Sequence, residues 1–205
     1  MSKRTKATLA TIAITLALVA LSGWLIIGRG FSAREEPTML EAFMTRRLRG
    51  FATPRAAKQM LNPVAPSHEV LSEAMTHFAD HCANCHANDG SGDTSIGKGL
   101  YPKPPDMRQS ETQNLTDGEL FYIIHNGIRL TGMPGFGGDT SPEQDLDSWK
   151  LVHFIRHLPT LSAAELEQMK SMNPKSKHEM EEEEAIRRFL EGEDVEVPSP
   201  NHGHD

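Results

Sequence analysis

The stretch HFADHCANCHANDG, residues 77–90, holds both cysteines of the chain and decides how the rest is read. Cys82, Cys85 and His86 form Cys-x-x-Cys-His, the attachment motif for a c-type haem. Each thiol can form a thioether to a haem vinyl group, and the adjacent imidazole is directed to the iron. Two cysteines only three positions apart limit both a disulfide framework and an all-cysteine metal site. A thioredoxin-like redox pair shares the CxxC spacing, but the strand context is missing and His86 is left without a role. A structural zinc site needs a second strong ligand pair, and none is suitably spaced.

Working outward, the spacing predicts a helix over 68–83 with Leu71, Ala74, Met75, Phe78 and Cys82 broadly on one side. A Gly- and Pro-rich stretch follows, then a short helix from Thr116 to Asn126, with Thr116 as its cap and Glu119 as the acidic partner three positions on. A third helix is expected from Pro142 to His157, burying Leu146, Trp149, Leu151, Val152, Phe154 and Ile155 and stopped by Pro159. Between the last two lies GIRLTGMPGFG, whose Met133 is 47 positions after His86. Its glycines allow a tight path and its proline restricts the loop, so Met133 is the candidate sixth ligand to iron. His125 is the histidine alternative, or else a cap for the helix that ends there. Trp149 is read as core, with a propionate hydrogen bond as the alternative.

The amino terminus has a different character. Ala7 to Ile27 is a run of 21 residues without a charge. As a helix at ~1.5 Å per residue it reaches roughly 30 Å, the thickness of a hydrocarbon core. Lys3, Arg4 and Lys6 before it place the amino terminus in the cytoplasm and the remainder outside. A signal peptide cleaved near Ala20, Ser22 and Gly23 is the alternative to an uncleaved anchor. Four regions follow: 1–28, an anchor; 29–68, a juxtamembrane linker or amphipathic segment; 69–159, an all-α domain; 160–205, an acidic extension. Residues 29–68 carry seven Lys or Arg against three Glu, and Met39 to Met60 has the spacing of one or two helices for a membrane surface or a membrane-bound partner.

A chain of 205 residues and formal net charge -7 suits one modest domain with accessory segments and argues against a nucleic-acid surface. The extension has twelve acidic and five basic residues, which makes a solvated tail the expected state, although Ala185, Ile186, Phe189 and Leu190 permit one packed helix. Glu181 to Glu184 read as solvating charge. His202, His204 and Asp205 allow a weak metal-binding tail.

The chain resembles class I cytochrome c of the membrane-anchored bacterial monohaem type over residues 69–159. Ala74 and Phe78 match the small and aromatic positions upstream of CANCH, and Phe154 and Leu158 match apolar positions of the final helix. NLTDGELFYIIHNGI and GMPGFG look like that class's central helix and Met-bearing loop. The resemblance implies a helix crossing beside the haem, and Pro104 or Pro105 as the carbonyl that receives the His86 proton. It implies one covalent haem c bound by Cys82, Cys85, His86 and Met133, iron ligation by His86 and Met133, and no catalytic residue. The expected role is one-electron transfer between redox proteins at a membrane, among them a respiratory complex or terminal oxidase, with the haem domain on the periplasmic side of a bacterial inner membrane. A haem-based ligand sensor or peroxidase-like enzyme with a labile Met133 is the alternative.

Overall fold

The computed structural model describes residues 2–28, 30, 32–175 and 177–190, and among these every regular element is helical, with no strand. The chain forms two compact units, Met1–Pro37 and Thr38–Asp205. The first contains α1 (Lys3–Gly28), long and apolar enough to cross a membrane, with no residue buried within the protein. The hydroxyls of Thr8, Thr11 and Thr15 donate to the carbonyls of Arg4, Ala7 and Thr11 at 3.0–3.1 Å. Those bonds satisfy polar groups that a bilayer would otherwise leave unpaired.

The second unit is built on α4 (His68–His77) and α9 (Leu146–His157), which pack against one another. Ala74 and Phe78 are buried beside Phe154, with the two phenyl rings 4.9 Å apart, and Leu158 closes the same layer. The small Ala74 lets the helices approach and the aromatic rings fill the flanks. Against α9 lies α8 (Asp117–Asn126), whose Phe121 stacks on Trp149 at 4.0 Å. Thr116 caps α8 in a reciprocal box with Glu119, as its sequence predicts. Trp149 belongs to the core: it is fully buried, and its indole N–H donates to the Pro142 carbonyl at 3.1 Å.

Two helices differ from their expected extent. The helix read as 68–83 stops being α-helical at His77 and continues as a π-helical turn, Phe78–Cys82, before α5 (Ala83–His86). The wider turn inserts backbone, and Cys82 still packs against the core that Leu71, Ala74, Met75 and Phe78 share, as expected. The helix read from Pro142 starts at Leu146, because Asp145 accepts from the Ser148 N–H at 3.1 Å and so caps it.

Packing also extends on both sides of residues 69–159. Ahead of it come α2 (Met39–Ala52) and α3 (Arg55–Lys58). Ala57 is buried, Asn62 donates to the Trp149 carbonyl at 3.0 Å, and Val64 offers its carbonyl to His153 at 2.8 Å. Behind it, Ser162 caps α10 (Ala163–Lys170) with Glu165 in a second reciprocal box, and Met169 is fully buried in the core. In the last helix (Lys177–Leu190), Ala185 is buried while Ile186 and Leu190 are exposed. The side chains of Glu181–Glu183 and Phe189, and residues 191–205 with His202, His204 and Asp205, lie outside the described residues. Phe154→Ala should cost about 3–5 kcal/mol in denaturant unfolding of the membrane-free domain, against less than about 0.5 for the exposed Glu167→Ala.

Candidate functional site

The CANCH turn sits where the buried helix α4 ends. Ala83 packs into the core, and Cys82, Cys85 and His86 are half-buried on the same turn. Cys82 and Cys85 are not joined in a disulfide. Burial, reinforced by nearby Cys85, pushes the Cys82 thiol up to about 12. A reactive redox pair needs the opposite shift at its nucleophile, so this environment disfavours that use of Cys82. Among the described residues no three His, Cys, Asp or Glu side chains form a group that could hold a metal ion.

Burial also lowers the pKa of His86, favouring a neutral imidazole. Its Nδ1 is buried without a hydrogen-bond partner. The expected bond to a proline carbonyl is not made; the Pro104 carbonyl packs instead against Gly92, whose N–H donates to the His86 carbonyl at 2.8 Å. Pro104 therefore adjoins the His86 turn through the backbone.

The following loop folds back over this turn. Ala87 takes φ 60° and reverses the chain directly after His86. Thr94 caps α6 (Ser95–Lys98) and reaches the Cys85 carbonyl at 3.3 Å. Gly97 has no substitute here, since a Cβ would stand 2.6 Å from the carbonyl oxygens of Cys85 and Gly92. Arg108 closes the loop by gripping Asp106 through Nε at 2.8 Å and Asp89 through Nη1 at 2.7 Å. That grip holds the Asp106 carboxyl down at about 2.

The Met133 loop is braced separately. Met133 is half-buried; its N–H donates to Thr131 Oγ1 at 3.1 Å and its carbonyl accepts from Ile128 at 3.0 Å. The loop's far end returns to α8, where Phe136 and Gly137 donate to the carbonyls of Ile124 and His125, each at 3.0 Å. His125, the alternative ligand, serves this bracing. Its Nδ1 meets Asp145 Oδ2 at 2.6 Å, its ring stacks on Phe121, and Gly137 lies so close that a Cβ would overlap the imidazole. One carboxylate, Asp145, thus joins the cap of α9 to the end of the Met133 loop. Burial raises its pKa, and the hydrogen bonds from Ser148 and His125 outweigh that and leave it below its usual value.

The two halves of the site share a neighbour. Leu100, which follows the loop covering Cys85, packs its side chain against Gly132, next to Met133. Sequence reasoning named the four candidate residues and did not name the residues that brace them. The Asp145-x-x-Ser148 spacing is a cap signal that a local reading can find. The His125–Asp145 and Arg108–Asp89 pairings span 20 and 19 positions and leave no local trace.

Residues 70–155 match the family model described as cytochrome C oxidase, cbb3-type, subunit III. The match covers the helix core, the CANCH turn and the Met133 loop, and less than half of the chain. No curated protein matches. Similarity to an oxidase subunit agrees with a respiratory, membrane-associated chain.

Asp145→Ala removes the cap and the His125 partner together and should cost about 1–3 kcal/mol. Hydrogen exchange should show faster loss of protection at the Phe136 and Gly137 amides than in Ser148→Ala, which keeps the carboxylate. For Asp106 the folded value is depressed from 3.8. Its stabilisation is full above that value and declines as pH falls toward 2. Unfolding followed between pH 5 and pH 2.5 should therefore lose part of its pH slope in Arg108→Leu.

Proposed function

We propose that the chain is a membrane-anchored electron carrier in which Cys82 and Cys85 would hold one haem c and His86 and Met133 would hold its iron, and that it serves a terminal-oxidase assembly. The observation that carries this reading is the CANCH turn: two cysteines three positions apart and a buried imidazole with an orphaned Nδ1, presented together beyond the end of a core helix. The cysteine sulfurs would bond to vinyl carbons rather than to metal, so this chemistry asks for only two side chains facing iron. A three-ligand cluster is not required, and the donor set fits the group.

When bound, the haem supplies reversible one-electron chemistry. The chain's own contribution is orientation, exclusion of water and control of potential. Cys82 and Cys85 fix the group to one turn, and α4 and α9 hold that turn. His86 gives a neutral nitrogen. Met133 gives a soft thioether, which raises the potential relative to a second histidine. Thr131, His125 and Asp145 hold the methionine loop and thereby resist its displacement by small ligands. Lys3, Arg4 and Lys6 favour a cytoplasmic start, so α1 fastens the domain to the periplasmic side of a bacterial inner membrane. The tether concentrates the carrier beside membrane redox partners.

The oxidised, haem-loaded protein should show the near-infrared sulfur-to-iron charge-transfer band, and Met133→Ala should lose it. Met133→His should lower the reduction potential by about 100 mV or more. A wild type that lacks the band and binds carbon monoxide readily when reduced would overturn methionine ligation and favour the ligand-sensing or peroxidase reading.

A further inference from the structure

Helix α2 is turned the wrong way round for a core helix. Its contacts with the domain are polar: Glu41 accepts from the Tyr101 hydroxyl, the Gly50 carbonyl accepts from Lys58 at 2.7 Å, and Ala42, Arg49 and Gly50 are its partly covered positions. Its apolar side faces out. Met39 is 91% exposed, Leu40 71%, Leu48 61% and Phe51 84%, with Phe43 and Met44 about half exposed. A rigid, capped helix that presents six large apolar side chains to water is costly unless something covers them.

We propose that α2 lies in the surface of an anionic bilayer, as an interfacial helix. Three observations select lipid. Only ten residues, 29–38, separate Gly28 at the end of α1 from Met39, so an α1 that spans the bilayer leaves α2 within about 35 Å of the membrane surface. The helix carries Arg46, Arg47 and Arg49 against Glu41, whereas residues 69–159 hold 13 acidic and six basic side chains. An anionic surface therefore attracts the helix and repels the domain behind it. Arg47, within the apolar arc, stacks over Phe43 at 5.1 Å. In that arrangement the stem lies along apolar surface while the guanidinium reaches headgroups.

The consequence is orientation. Glu41 holds Tyr101, and the preceding Leu100 packs against Gly132, so α2 is joined through two contacts to the Met133 loop. Seated in lipid, it fixes how that loop faces the membrane plane. The inference rests on α1 being inserted and not on the haem.

The test uses the full chain in nanodiscs containing phosphatidylglycerol, with Leu48→Cys, Phe51→Cys and Thr45→Cys probed by a water-soluble maleimide. Thr45 is exposed and lies off the apolar arc of α2, so it reports the solvent rate. Labelling at positions 48 and 51 should be about tenfold slower or more than at 45, and should speed up when Arg47→Glu is added or zwitterionic lipid is substituted. Equal rates at the three positions would overturn the proposal. So would protection that arises only when oxidase subunits are added, since the occupant would then be protein. The wild-type chain is the blank: labelling of Cys82 or Cys85 there counts against haem attachment while leaving the helix result intact. An unchanged domain circular-dichroism spectrum certifies the Arg47→Glu background.

Discussion

The contact between α4 and α9 is the constraint on which the rest of the domain depends. Ala74 makes it close, and Phe78 and Phe154 make it dry. Because α4 is pinned there, the π-helical turn and α5 that follow have a fixed position, and Cys82, Cys85 and His86 inherit it. The loop to Arg108 then has to pass over that turn. Gln113 secures its return by donating to the carbonyls of Met107 at 2.7 Å and of Ile155, on α9, at 2.9 Å. The same helix receives the other half of the site through Asp145. Both candidate ligand loops are thus referenced to α9, which is how residues 47 positions apart come to share one frame.

What was legible in the sequence follows the range of the interactions involved. Thr116 with Glu119 and Ser162 with Glu165 are local, and both helices begin where these pairs predict. The periodic apolar residues from Leu71 to Phe78 and from Trp149 to Ile155 identified the central helices. Local signals misled at Pro142, where the carbonyl was needed for the Trp149 indole and the helix waited for the Asp145 cap. They were silent at Asn62 and Met169, which pack onto the core from regions whose composition looks like linker and tail. The CANCH motif and Met133 were readable because their chemistry restricts residue type. Their supports, Arg108, His125, Asp145 and Leu100, are ordinary residues whose work depends on long-range geometry.

Charge divides the molecule in a way that matches its proposed place. The segment beside the anchor is basic and the domain is acidic, so a negatively charged membrane draws one close and keeps the other turned toward solution, where a basic partner face can approach. On the proposed reading, a carrier confined in this way would exchange electrons with neighbours in or on the same membrane.

The central claim is covalent attachment of one haem at Cys82 and Cys85, and intact-protein mass spectrometry tests it most directly. Produced in a host with c-type haem maturation, the chain should gain the mass of one haem, carried on the peptide spanning residues 82–86, and neither thiol should react with an alkylating reagent. A chain of unmodified mass with both cysteines open to alkylation under those conditions would contradict it.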